Sequence, residues 1–159
     1  MGIEIQEASE GDAAVISALN ADVQRLHSDV HPWRFKEPGP DTFPTHSAAE
    51  FIAKPNHFAF LAYDEGEAIG YVVAEIRHYP ESSKVYAHSM VYVHHISVRP
   101  HAQRRGCGQA LLAAVKARGE EHGITLLALD TWSFNDQALA FFKKCGLVPY
   151  NIRLWTIAD

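Results

Sequence analysis

The sequence predicts an α+β domain with a central mixed β-sheet flanked by helices, and three observations carry that expectation. Apolar residues recur with period two in some segments and at helical spacing in others. The two kinds interleave along the chain, in the order β-α-α-β-β-β-α-β-α-β. The 159 residues are close to the roughly 150 that one domain takes, and no repeat or linker divides them, so residues 1–159 read as a single domain.

Ile3 to Glu7 alternates apolar and polar residues as a half-buried strand does. Ser9 then offers an N-cap to a helix carrying Val15, Ile16, Leu19, Val23 and Leu26. The four prolines between His31 and Thr45 predict a loop, whose Trp33, Phe35 and Phe43 are either a lid over a pocket or loop anchors. A short helix is expected over Ser47 to Lys54, then strands near His57 to Tyr63 and Ala68 to His78. Their connection, Asp64-Glu65-Gly66-Glu67, has the chemistry of a hairpin turn.

Pro80-Glu81-Ser82-Ser83 reads as the next turn, leading into a long strand from Val85 to Val98 whose Val91, Val93 and Ile96 favour β structure. Beyond Arg99-Pro100, residues Ala110, Leu111, Ala114 and Val115 follow helical spacing as far as Gly123. Ile124 to Leu129 is a short buried-type strand. Asn135 opens a helix with Ala138, Phe141, Phe142 and Cys145 on one face, and Gly146 ends it. Leu147 to Ile157 is expected to be a last strand, able to join a homodimer interface.

Composition removes several function classes. A hydrophobic fraction of 47% with 21% charged residues excludes a disordered or collagen-like chain. Two cysteines cannot staple a fold of this size, which points to a reducing compartment. The net charge of −5 argues against a nucleic-acid partner, and no apolar run reaches the roughly 18 residues of a membrane span. The amino terminus, MGIEIQEASEGD, lacks the basic and apolar regions of a signal peptide, so a cytoplasmic location is expected.

The chemistry concentrates between His94 and Leu112. A strand ends there, a basic turn follows, and Gly106 and Gly108 flank the first residue of a helix. The amides of a helix start lack partners and the helix dipole adds partial positive charge, so this is a pyrophosphate cradle in outline. Glycines let the backbone approach an anion, and Arg104 and Arg105 can add charge at the rim. Alternatively, the two glycines only shape a tight turn. No Gly-Lys-Ser/Thr follows, which argues against a P-loop, and a dinucleotide fingerprint lacks its further glycine.

Gln103-Arg104-Arg105-Gly106-Cys107-Gly108 resembles the Gln/Arg-x-x-Gly-x-Gly/Ala signature of the GNAT superfamily of N-acetyltransferases, preceded by the Val98-Arg99-Pro100 that commonly ends its fourth strand. Asn135-Asp136-Gln137-Ala138, with Phe141-Phe142 and Cys145-Gly146-Leu147, resembles its Asn-x-x-Ala motif. The resemblance implies a GNAT-like acyl-CoA acyltransferase fold and acetyl-CoA as cofactor. It implies that backbone groups along Ile96, Ser97 and Val98 pair with the pantetheine arm. The loop Gln103, Arg104, Arg105, Gly106, Cys107, Gly108 and Gln109 would hold the pyrophosphate through its amides, and Asn135 would contact the cofactor arm, cap its helix, or do both.

The acceptor would be a primary amine of a small molecule or peptide. An alkyl amine of pKa about 10.4 is only about one part in 2,500 neutral at pH 7, so a base is valuable. His94 and His95 lie on the strand that faces the cofactor in this family, and His94 matches the spacing of histidine-using relatives. As neighbours on a strand they are expected on opposite faces, each alternatively a packed or surface histidine.

The family's usual acid, a Tyr four residues before the closing Gly, is Phe142 here, which cannot donate a proton. Tyr150 and Ser133 are the candidate substitutes. That gap supports an alternative function as a non-catalytic acyl-CoA binding or sensing module. Cys107 is either a reactive thiol at a cationic helix start or a small helix residue. The other histidines, at 27, 31, 46, 57, 78, 88, 101 and 122, are scattered, and no spacing suggests a metal site.

Overall fold

The structure, a computed structural model, describes residues 2–157. Five strands, β1 (Glu4–Glu7), β2 (His57–Asp64), β3 (Glu67–Tyr79), β4 (His88–Val98) and β5 (Leu127–Leu129), form one sheet in sequence order. The first four are antiparallel neighbours, and β5 runs parallel to β4. That parallel step needs a crossover, which α3 (Cys107–Glu121) supplies. The remaining helices are α1 (Ala13–Val30), α2 (Thr45–Ala53) and α4 (Asp136–Lys144). The mixed sheet and its helices are as the sequence predicts.

The β2–β3 hairpin shows why the turn is legible. Glu65 and Gly66 take φ of 49° and 83°, and two successive left-handed residues make the mirror-image turn whose twist matches the strands. Period-two patterning then divides the sheet. Ala59, Leu61, Tyr71 and Val73 face α1 and α2, while Val72, Ala74, Val91 and Val93 face α3 and α4. Within the first layer the buried Asn20 amide donates to the Tyr71 hydroxyl at 2.8 Å, so neither polar group is stranded in the core.

Two expectations fail at strand ends. β4 begins at His88, not Val85, because the Ser82 hydroxyl accepts from the amides of Lys84 and Val85 and closes a local turn instead. Leu147 to Ile157 forms no strand. Gly146 turns the chain at φ 91° and the Leu147 amide returns to the Phe142 carbonyl, closing α4. Beyond that point Val148, Tyr150, Ile152 and Leu154 alternate as strand residues do, but the segment finds no ladder partner and these side chains stay exposed.

Candidate active site

Strand β4 has two properties that build a slot. It pairs with β5 only over Val91 to Val93, so the edge facing β5 has no strand against it from His94 to Val98. It is also bulged. His95 sits opposite Val73 and Val93 opposite Ala74, which leaves His94 without a residue across from it.

The bulge corrects the expectation that His94 and His95 point to opposite faces. The His94 ring packs on Phe51 of α2 at 5.1 Å and the His95 ring on Phe43 at 5.3 Å, so both lie on the α1/α2 side. A strict period of two holds only for a regular ladder, and the extra residue resets it.

The basic turn opens α3. Gly106 caps the helix in the left-handed region at φ 85°, and a Cβ there would meet open space. Gly108 does different work: a Cβ on it would come within 2.9 Å of the Phe141 ring, so its missing side chain seats α4 against α3. Among the described residues, the amides from Arg104 to Gln109 have no acceptor in the chain, as the helix start requires.

The two arginines are not equivalent. Arg105 donates to Asp64 at 2.7 Å and is thereby tied to β2, leaving Arg104, at φ 63°, as the cation of the loop without a carboxylate partner among the described residues. The Gln103 amide donates to the Val98 carbonyl at 3.2 Å and its oxygen accepts from Gln137 at 2.9 Å, tying the turn to both β4 and α4. Asn135 caps α4, its oxygen accepting from the Ala138 amide at 3.1 Å, which leaves its NH₂ to donate elsewhere.

The proton side is made of side chains from three strands. Glu75 of β3 lies between His57 of β2, at 2.6 Å, and His94 of β4, at 3.3 Å, and also pairs with Arg77. Burial alone would raise the Glu75 carboxyl, but Arg77 and His94 beside it more than reverse this and hold it below the usual range. His57 also meets the Pro55 carbonyl at 2.8 Å, so both of its nitrogens face oxygen atoms.

Burial lowers the His94 pKa, with Glu75 partly opposing, and His94 Nε2 is buried without an aligned hydrogen bond. Burial pushes His95 down to about 4, helped by His94 and His27, and its Nδ1 is likewise buried and unpaired. Both rings lie beside the free strand edge, and His94, which burial depresses and Glu75 partly restores, is the better placed of the two to accept a proton, whereas His95 is held neutral.

A strand edge released at a bulge beside a helix start with unused amides is an arrangement that can be compared with known proteins. Residues 21–147 match the acetyltransferase (GNAT) family. The chain belongs to that family. This GNAT chain is similar to the aminoglycoside N(6')-acetyltransferase type 1 of Salmonella typhimurium, 36% identical over 112 residues that span 65% of this chain and 76% of the relative. An uncharacterized N-acetyltransferase of Lactobacillus delbrueckii is 25% identical over 68% of this chain, and the match spans 61% of that relative's length. Among solved structures, a protein of Bacillus halodurans superposes with a TM-score of 0.92 at 20% identity, over 98% of this chain and 99% of that one. An aminoglycoside N-acetyltransferase in complex with CoA gives a TM-score of 0.72 at 20% identity, over 99% and 95%.

The other candidate residues of the GNAT reading fall as follows. Phe142 is a core side chain packed on Phe141, so its position is buried. Tyr150 is 75% exposed on the unpaired carboxyl-terminal segment, and Ser133 is exposed in the loop before α4. Cys107 is buried, and burial raises its thiol to about 11, which makes it a packing residue and not a nucleophile.

Sequence reasoning missed Glu75 and set aside His57 and His27. Glu75 directly follows the run Ala68 to Ala74, which carries no charge, and that break in pattern was the available signal. No group of residues able to hold a metal ion occurs among the described residues.

Proposed function

We propose that this chain is an acetyl-CoA-dependent N-acetyltransferase acting on a primary amine of a small molecule or peptide. The single observation that carries the reading is the β4 edge, free from His94 to Val98 and ending beside the unpaired amides of Arg104 to Gln109. The residues fit the group: a strand edge suits the amides of a pantetheine arm, and the left-handed Gly106 with open space before it suits a pyrophosphate. When bound, acetyl-CoA supplies an acetyl thioester. Asn135 contributes its NH₂ to the arm.

His94 would take one proton from the acceptor ammonium and so free the nitrogen lone pair for the acetyl thioester that bound acetyl-CoA would supply, the second nitrogen proton going to the thiolate released. A thiol of pKa about 8.5 departs as thiolate without an obligatory acid, so Phe142 does not prevent transfer. Overall, ammonium and thioester give amide, thiol and one proton. Glu75 holds and polarises His94.

The test is thiol release from acetyl-CoA over a broad amine panel. Turnover that falls in His94→Ala supports the reading. Acetyl-CoA binding with no transfer to any amine leaves the non-catalytic sensing module in its place.

The homodimer belongs to this reading as well. Each partner of a standard interface gives up about 800 Å², and the exposed alternating row from Val148 to Leu154, with Ile157, is of that order. Light scattering that reports a monomer at micromolar concentration removes it.

A further inference from the structure

The three tryptophans of this chain, Trp33, Trp132 and Trp155, come from distant segments yet meet in one place. Trp155 lies 5.4 Å from Trp33 and 5.6 Å from Trp132, centroid to centroid, and Trp132 packs on Phe35 at 5.2 Å and Phe134 at 6.1 Å. This is not a core: Trp33 is 66% and Trp155 50% exposed. Exposed aromatic faces grouped in this way mark a binding surface.

Its position ties it to the active site. Trp132 follows two residues after Asp130, which accepts from Tyr92, whose ring packs on His94 at 5.0 Å. Phe134 immediately precedes Asn135. His27 packs on both Phe35 and Phe134 and is near enough to His95 for its charge to bear on that ring. The aromatic wall thus runs from His94 and His95 to the start of α4.

Its charge is equally informative. The Arg34 guanidinium lies over Phe35, Trp132 and Trp155 at 5.4 to 5.7 Å and has no carboxylate partner among the described residues. Asp130, which adjoins the wall, is engaged with Tyr92, and Glu75 beside His94 is engaged with Arg77 and His57. A polycationic acceptor would meet the fixed Arg34 cation at this wall. Flat apolar faces with a single cation favour an aromatic ring.

We infer that this wall binds the acceptor, and that the acceptor is an amine with one amino group on an aromatic body, not a polyamine or an aminosugar. The inference rests on the acetyl-transfer reading above and specifies its substrate class. The aromatic body lies against the exposed outer faces of the wall, and the amino group reaches His94.

All three tryptophans lie in the wall, so their fluorescence reports on its occupancy. The full chain is titrated with 2-phenylethylamine, spermidine and kanamycin, with and without CoA. The expected result is a saturable fluorescence change with 2-phenylethylamine at a Kd at least tenfold below that of either polycation. Trp132→Ala weakens 2-phenylethylamine at least tenfold and leaves acetyl-CoA binding unchanged, Trp132→Phe restores most of it, and Arg34→Glu narrows the gap to spermidine.

Equal or tighter binding of a polycation overturns the inference, as does 2-phenylethylamine affinity unchanged in Trp132→Ala. Selective binding of 2-phenylethylamine without any acetyl transfer keeps the aromatic wall and removes the acetyl-transfer reading.

Discussion

The two halves of the proposed site are built from different material. The cofactor half is backbone: a strand edge from His94 to Val98 and the amides of Arg104 to Gln109. The proton half is side chains: Glu75, His57, Arg77 and His94, brought from three strands that are adjacent only in the folded sheet. Backbone groups can be positioned by local sequence, because glycines and strand ends dictate them. A side-chain cluster depends on register, and a single bulge changes which residues share a face.

Substitutions can separate the halves. His94→Ala is expected to show the largest effect, lowering kcat by about 10²- to 10⁴-fold in steady-state assays while acetyl-CoA affinity by calorimetry stays within twofold. A parallel loss of affinity would mean that the histidine also belongs to the cofactor half.

His95 gives the next effect, and it is one of stability. Its folded pKa of about 4 lies below the unfolded value near 6.5. The unfolded chain therefore binds the extra proton first, so the stabilisation is complete above pH 6.5 and is lost as pH falls toward 4. Urea titrations are expected to lose up to about 3 kcal/mol over that window, and His95→Gln to flatten the dependence. An unchanged slope would show that His95 is not buried neutral.

What was legible in the sequence follows the same division. Gly106 at a left-handed helix cap, the Glu65-Gly66 hairpin and Asn135 as a cap are all local devices, and each lies where the residues predict. The shared face of His94 and His95, the tie of Arg105 to Asp64 and the role of Glu75 are not local. Gly108 is instructive because its residue type was legible but its reason was not. The reason is Phe141, 33 residues onward.

That reason supplies a third test. Gly108→Leu forces a side chain into the Phe141 ring and is expected to destabilise by about 1 to 3 kcal/mol, the usual cost of overpacking. Gly106→Val strains a left-handed residue, costing about 1 to 2 kcal/mol, and is expected to weaken acetyl-CoA more than it weakens the fold. If Gly108→Leu leaves the melting temperature unchanged, the packing account of that glycine fails.

The smallest expected effect is that of Glu75→Gln, roughly tenfold in kcat, or about 1.4 kcal/mol. The Glu75 carboxylate raises the His94 pKa against burial, so removing its charge moves the acid limb of the pH–rate profile to lower pH. A shift to higher pH would separate Glu75 from the proton half.

The division itself is tested most directly by amide NMR during a titration of the full chain with CoA. The account expects shifts concentrated in the amides of Ile96 to Val98 and Arg104 to Gln109, with those of β2 and the β3 segment around Glu75 left in place. Saturable binding that moves the β2 and β3 amides and leaves the Arg104 to Gln109 loop unchanged would contradict it.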